Sequence, residues 1–265
     1  MSLRRVAEQQ YLTTDPLKAR IETHVRYSEL RIDLDARCSA ALRLSGTESV
    51  LDVGCGPGGF VSYLRTAGHA GNLVGLDRSD AMIAEGSSRD ASVEWIVGDA
   101  GRLPFADGKF ERVSARHMLY YVDEVDDALR ELARVTSHDG VFLATTNAAQ
   151  TMPLIDGLYL DLLRAFGLPP RQHAAGEFHT ENAEALLSEV WPHVDETIID
   201  NAFIFTSPEP IVLYVASLLL SVEGVDEAMQ LEMIAWLRHE AASRLSALGG
   251  TWRDPKVVGL YRCWR

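Results

Sequence analysis

Val50-Leu51-Asp52-Val53-Gly54-Cys55-Gly56-Pro57-Gly58-Gly59 is an apolar run interrupted by one acid and closed by a glycine turn. Val50–Val53 has the length and β-branched content of a buried strand, and the glycines stop it. A helix from Phe60 to about Thr66 is predicted next, so the stretch reads strand, turn, helix. The same unit repeats outward. Asn72–Leu76 reads as a second strand ending at Asp77, followed by a helix from near Asp80. Ser92–Val97 reads as a third strand ending at Gly98-Asp99, and Phe110–Ala115 as a fourth. A helix over Val125–Val135 leads into a fifth strand, Gly140–Thr146. Strand and helix alternate at βαβ spacing, which predicts an α/β doubly wound, mostly parallel sheet with helices on both faces.

The flanks are helical. Residues 1–45 form an N-terminal arm in which Asp15-Pro16 reads as a cap followed by proline at the first helical position. Leu17, Ile21, His24/Val25 and Ser28 recur at helical spacing, with a second helix over Leu34–Leu42. Ile21 and Val25 are expected to pack while His24 and Tyr27 present polar groups to a crevice that the arm closes. Residues 46–205 are the expected core, which takes in a helix over Met152–Phe166, a short helix capped by Thr180 and a sixth strand, Thr197–Phe205. Residues 206–250 read as a helical insertion, Pro210–Leu220 and Val225–Leu248, stopped by Gly249-Gly250. That insertion is expected to form a substrate wall or a subunit contact. Residues 251–265 carry the last strand, Val257–Trp264.

With 25 basic against 38 acidic residues the net charge is −13, which disfavours a nucleic-acid partner, since phosphate backbones select for clustered Lys and Arg. No apolar run is long enough to span a bilayer, and Arg4-Arg5 leads into polar sequence rather than a leader's apolar core. Cys38, Cys55 and Cys263 are too few and scattered for a disulfide framework. A cytoplasmic monomer or homodimer is the expectation. Lysine occurs only at positions 18, 109 and 256, a bias that points to a GC-rich bacterial source and a natural-product pathway.

Open α/β sheets bind ligands beyond the carboxyl ends of their strands. Gly54, Gly56 and Gly58 allow close approach there, Asp77 stands where a carboxylate accepts from a ribose diol, and Asp99 ends the third strand. Gly54-x-Gly56-x-x-Gly59 with Asp77 also satisfies a dinucleotide fingerprint, so an NAD(P)-dependent oxidoreductase or a non-catalytic nucleotide-binding protein stays open. So does a fold whose glycines serve only packing. Asp52 weighs against NAD: it sets negative charge where a pyrophosphate would lie, and suits a ligand bearing an ammonium and a sulfonium.

The motif Val50–Gly58 resembles the first motif of class I S-adenosylmethionine-dependent methyltransferases. Gly75-Leu76-Asp77-Arg78-Ser79 with Met82 is similar to their ribose segment, and Gly98-Asp99-Ala100 before Leu103-Pro104-Phe105 to their adenine-side loop. His117-Met118-Leu119-Tyr120-Tyr121 and the helix ending Arg134-Val135 resemble the small-molecule branch that includes quinone-biosynthesis enzymes. The resemblance covers about residues 45–147. It implies a seven-stranded sheet in the order 3-2-1-4-5-7-6, the last strand antiparallel, with S-adenosylmethionine bound and S-adenosylhomocysteine left as product. It implies that Asp52 with Gly54, Cys55, Gly56 and Gly58 holds the methionyl end and Asp77, beside Arg78, the ribose. Met82 then meets an adenine face, Asp99 and Ala100 the adenine edge, and His117 borders the cofactor. Two features depart from the family. About fifty residues with two helices replace a tight hairpin before the last strand, and Ser137-His138-Asp139 stands in the turn before the fifth strand.

Methyl transfer from a sulfonium is an in-line displacement, so the protein mainly aligns nucleophile and methyl, with a base where the acceptor starts protonated. His117 is the first candidate base, then His24 and Tyr27 on the arm. Tyr11, Tyr27, Tyr120, Tyr121, Phe178 and Trp236 are candidate walls for a small aromatic or apolar acceptor whose O, N or C atom the sequence leaves open. His173 and His179 lack a third ligand at metal spacing, and no metal is expected.

Overall fold

The computed structural model describes residues 15–170, 176–219, 222 and 224–265. Seven strands form one sheet in the order β3-β2-β1-β4-β5-β7-β6. They are β1 (Val50–Val53), β2 (Leu73–Asp77), β3 (Glu94–Val97), β4 (Phe110–Arg116), β5 (Thr136–Asn147), β6 (His193–Phe205) and β7 (Trp252–Trp264). The first five pair in parallel, and β7 runs antiparallel to both β5 and β6. This is the expected order. All four β1 residues are buried because β1 lies between β2 and β4 with helices on both faces, which explains its unbroken burial.

The helices are α1 (Asp15–Tyr27), α2 (Leu34–Ala41), α3 (Gly59–Thr66), α4 (Asp80–Arg89), α5 (Val125–Val135), α6 (Pro153–Ala165), α7 (Thr180–Ser188), α8 (Glu209–Leu219) and α9 (Glu227–Ala247). Side-chain caps start several: Asp33 accepts from Ala36 N–H, Ser79 from Met82 N–H and Asp226 from Met229 N–H. Two starts differ from expectation. Thr180 is the first helical residue of α7, and His179 before it is the cap, in a reciprocal box with Asn182. Met152 precedes α6 with φ of 52° and supplies no side-chain cap; Asp254, from β7, accepts the Leu154 and Ile155 N–H groups instead.

The last two strands are longer than expected, beginning at His193 and Trp252. Acidic residues and Pro255 hide these starts in the sequence, yet both are tolerated here for one geometric reason. β6 is the sheet edge, and β7 pairs with β5 only from Val258 onward. Residues 252–257 of β7 therefore run past the carboxyl end of β5, with β6 as their one strand partner and the Ala148 and Met152 N–H groups donating to Val257 O and Pro255 O from the other side. This overhang stands beside the crevice.

Three apolar clusters hold the layers. One packs α5 and α7 on the sheet through Leu129, Leu132, Phe142 and Trp191; another packs α2 and α3 on the opposite face through Cys38, Leu42, Phe60 and Leu143. The third joins α6, α8 and α9 to the overhanging ends of β6 and β7. The arm helix α1 packs on α8 and continues onto the free edge of β6, where Glu29 N–H donates to Ala202 O and Ser28 bridges Phe203. Its rotation is the reverse of expectation. Ile21 and Val25 are 50% and 68% exposed, whereas Arg20 and Thr23 are buried. The arm packs on α8 and on the Phe203, Tyr214 and Phe205 rings through His24 and Tyr27, and the buried Thr23 Oγ1 donates to Ala19 O. Among the described residues, no helix is long and apolar enough to cross a membrane.

Candidate functional site

The glycine turn leaves β1 with Gly54, Gly56 and Gly58 at φ of 67°, 56° and 79°, a run of left-handed backbone that only glycine adopts without strain. The three do different work. A Cβ on Gly58 would fall 2.1 Å from the Trp95 indole, and Gly75 and Gly86 crowd the same ring. These glycines cradle Trp95 of β3, so Gly58 serves packing rather than ligand approach. A Cβ on Gly54 would strike Met118 at 2.6 Å. Gly56 faces only Leu17 of the arm, at 3.6 Å, and is the one turn glycine left open for a ligand under that arm.

Carboxylates ring the turn. Asp77 accepts from Gly56 N–H at 2.8 Å and Ser79 N–H at 2.9 Å, which locks the turn against β2 and leaves lone pairs on both oxygens. Burial raises its pKa above the ordinary carboxylate range. Asp52 is buried and likewise raised by burial; its Oδ1 accepts from Ser114 Oγ at 2.6 Å and lies 3.7 Å from Arg116 Nε. Its Oδ2 is buried with no hydrogen-bond donor among the described residues. Arg116 also pairs with Asp35 at 2.7 Å and stacks 4.0 Å over Phe60. The negative charge read from Asp52 alone is thus half-answered from behind by a guanidinium. Asp99 folds back on Gly101 N–H, and half-exposed Arg78 follows Asp77. Cys55, Met82 and Ala100 are buried, Cys55 with Sγ on Gly56 O.

The acceptor candidates separate sharply. His117 follows β4 directly, at φ of 51°, with its N–H bonded to Thr145 O of β5. His24 comes down from the arm, its ring 4.7 Å from Phe203 and 6.2 Å from Tyr214. Its own surface is exposed, yet protein surrounds it densely, as for a side chain lining a cleft. The two histidines share one electrostatic neighbourhood. Burial holds His24 well below the ordinary imidazole range, helped by Lys256, His117 and Arg20. Burial, then Arg116 and Lys256, brings His117 down to about 4. Both rings are neutral near pH 7.

Lys256, on the β7 overhang, is the residue that sequence reasoning missed. Its Nζ lies 3.0 Å from His24 Nδ1, donates to Ser28 Oγ at 2.6 Å and sits 4.2 Å over the Phe203 ring. Among the described residues it has no carboxylate partner, and burial lowers it to about 8. The one available signal was its rarity, since only three lysines occur.

Other candidates leave the site. Tyr27 packs 5.2 Å from the Phe205 ring in the third cluster, and Trp236 joins that cluster from α9. Phe178 is fully buried in the first cluster and is core, not a wall. Tyr120 is buried, 6.5 Å from His117, and makes an edge contact with half-exposed Tyr121. His179 caps α7 and pairs with Glu181. Tyr11 and His173 lie outside the described residues. Among the described residues no cluster could hold a metal.

Residues 51–144 match the family described as Methyltransferase domain. The chain is 30% identical over 175 residues to malonyl-acyl-carrier-protein O-methyltransferase of Erwinia pyrifoliae, which covers 64% of this chain and 66% of that protein. It is 38% identical over 123 residues to demethylmenaquinone methyltransferase of Mycolicibacterium vanbaalenii, covering 46% and 52%. The matched stretch thus spans between about half and two thirds of these relatives. Among solved structures, the cyclase SpnF superposes with a TM-score of 0.62 at 16% identity, covering 100% of this chain and 97% of that one, which establishes the shared fold.

Proposed function

We propose that this chain, whose residues 51–144 match a methyltransferase domain, transfers a methyl group from S-adenosylmethionine to a small-molecule acceptor, with the N-terminal arm as a lid. The observation that carries this reading is the pair of carboxylates flanking the open Gly56: Asp77 with lone pairs to spare, and Asp52 with a buried oxygen that lacks a donor. An orphaned buried carboxylate oxygen calls for a cationic donor, which an amino-acid ammonium supplies and a pyrophosphate does not. Asp52 and Gly56 would hold the methionyl end, Asp77 the ribose, and Asp99 with Met82 the adenine side. When bound, the cofactor supplies an electrophilic sulfonium methyl. The chain's own part is alignment and exclusion of water. Leu17 over Gly56 and Lys18 paired with Glu85 at 3.2 Å support the arm as the cover of that crevice.

Neither neutral histidine is a strong base, so His117 and His24 act here as hydrogen-bonding walls and the acceptor brings its own nucleophile. Both relatives' names specify a methyl acceptor, an acyl-carrier-bound malonyl group in one and a quinone precursor in the other. The reacting group is small in both, free in one relative and carrier-bound in the other, and natural-product tailoring is one setting for such an acceptor. Calorimetry tests the proposal: S-adenosylhomocysteine should bind with micromolar or better affinity and NAD should not. Tight NAD binding with no response to S-adenosylhomocysteine would move the chain to the oxidoreductases.

A further inference from the structure

The buried carboxylate assigned to the cofactor's ammonium is not alone. Around Asp52, β4 supplies Ser114 and Arg116, β2 supplies Asp77, α2 supplies Asp35 and Cys38, and the glycine turn supplies Cys55. Burial holds both thiols neutral, so Arg116 is the one cation in this set. Its placement is unusual for an ion pair. Arg116 Nε stands 3.7 Å from Asp52 Oδ1, beyond hydrogen-bond reach, on the oxygen that Ser114 Oγ already occupies at 2.6 Å. Nε is itself buried with no acceptor among the described residues, and Asp52 Oδ2 is left without a donor. A guanidinium in direct contact with a carboxylate commonly bridges both oxygens. Here two other contacts hold it off. Arg116 Nη1 donates to Asp35 of α2 at 2.7 Å, and the guanidinium carbon lies 4.0 Å over the Phe60 ring.

Resting on the reading of the crevice as a methyltransferase site, we propose that Arg116 is a positioning residue for the cofactor, held by Asp35 and Phe60 at the distance that keeps Asp52 charged while leaving Oδ2 to the methionyl ammonium. Two physical demands conflict at Asp52. Burial alone favours the neutral acid, which offers an ammonium no charge. A bridging guanidinium would restore the charge but occupy both oxygens. A cation held just out of contact acts through Coulomb attraction, which falls only as the inverse of distance, and takes no lone pair. Asp35 completes the arrangement. Its carboxylate holds the guanidinium back and offsets part of its charge, so an incoming ammonium is repelled less. Asp35 lies in the first turn of α2, and through Arg116 this second helix of the arm sets cofactor affinity.

The test is calorimetry of S-adenosylhomocysteine binding at pH 7.5 and 6, about one and a half pH units that span the neutral range, on the full chain and its variants. The ligand's own titration is common to all of them and cancels. Arg116→Met keeps bulk over Phe60 and removes the charge. Asp52 should then protonate in the neutral range, and affinity should fall about tenfold more than in the parent between the two pH values. On an Asp52→Asn background the same change should add no slope, which separates Asp52 from His117, the other titrating neighbour of Arg116. Asp35→Asn, at a half-exposed position, leaves the guanidinium unshared and should weaken binding about two- to threefold without steepening the profile. Parallel profiles for Arg116→Met and the parent, or an added slope that persists with Asp52→Asn, overturn the proposal. Unchanged affinity in Asp35→Asn overturns it as well, and decides alone if Arg116→Met does not fold. A parent chain that binds no S-adenosylhomocysteine at either pH overturns instead the cofactor reading on which the proposal rests.

Discussion

The two sides of the crevice are built in opposite ways. The side over β1–β3 is assembled from neighbours in sequence: backbone N–H groups of one turn, closed by Asp77 twenty-one residues beyond Gly56. The side over β5–β7 is assembled from the ends of the chain, with His24 meeting Lys256 across 232 residues. One side is carboxylate and the other cationic. The difference teaches that a motif records only the half of a site that a single local unit can hold. The other half depends on strand overhangs and on the seat of the arm, which no short window contains.

The largest effect should come where an aromatic residue proposed as a wall proves to be core. Phe178 is fully exposed in neither face of the crevice but sealed among α5, α7 and the sheet. Phe178→Ala should destabilise the fold by about 3–5 kcal/mol, read as a lowered denaturant midpoint. Half-exposed Tyr121, by contrast, should lose less stability on the same truncation, Tyr121→Ala, than Phe178 does. Equal stabilities for Phe178→Ala and the parent chain would return Phe178 to the acceptor wall.

On the carboxylate side, Asp77→Asn keeps an acceptor for Gly56 N–H or Ser79 N–H but loses the charge. Affinity for S-adenosylhomocysteine should fall by about 1.5–3 kcal/mol, roughly ten- to a hundredfold, by calorimetry on folded variant. The titration midpoint of Lys256, followed in the chain labelled with carbon-13 lysine, should be unmoved if the two sides are independent. A coupled shift would show that the comparison divides one site too cleanly.

The cationic side should appear in the pH dependence of stability. His117 lies near 4 in the folded chain, against about 6.5 when unfolded. As pH falls, the unfolded chain takes up its proton first, so the stability contributed by a neutral His117 is complete above pH 6.5 and is lost between about 6.5 and 4. Between pH 7 and 5 the parent should lose about 2 kcal/mol relative to His117→Gln. Asp52 and Asp77 are present in both chains and cancel in the difference, and the influence of His117 on His24 is removed by repeating the pair on a His24→Gln background. Parallel stability curves for the two would mean that the ring titrates normally and is not desolvated.

The βαβ alternation, the glycine turn and the acids Asp52 and Asp77 were legible because strand-turn-helix units are local, whereas the sheet order came only from the family resemblance. What depended on tertiary context was misplaced. Pro255 and the acids of β6 concealed thirteen-residue strands, since an overhang paired on one side tolerates residues that a central strand does not. Gly75 and Gly86 carried an unread message: a glycine within a strand and another within a helix were making room for Trp95. Asp52 looked like a lone charge because Arg116, sixty-four residues on, gives no sign in sequence of lying behind it.

The smallest expected effect concerns the outward face of the arm. Helical periodicity alone places Ile21 and Val25 on the buried stripe, but an amphipathic rule assumes that the partner surface is apolar. Here the arm reaches Lys256 through His24 and Ser28, and Arg20 and Thr23 are the buried positions of the helix. Ile21 and Val25 are left in solvent at 50% and 68% exposure. Ile21→Ser and Val25→Ser should each change stability by no more than about 0.5 kcal/mol and leave S-adenosylhomocysteine affinity untouched, whereas residues on the inner face should not be so tolerant. The measurement is thermal unfolding of each variant at two protein concentrations. A loss above about 1 kcal/mol per substitution at both concentrations would mean that the arm sits in the orientation its periodicity first implied. A loss at high concentration alone would mean that a second copy covers this face. A negligible loss leaves the arm seated by the side that carries His24 and Tyr27, with His24 on Lys256.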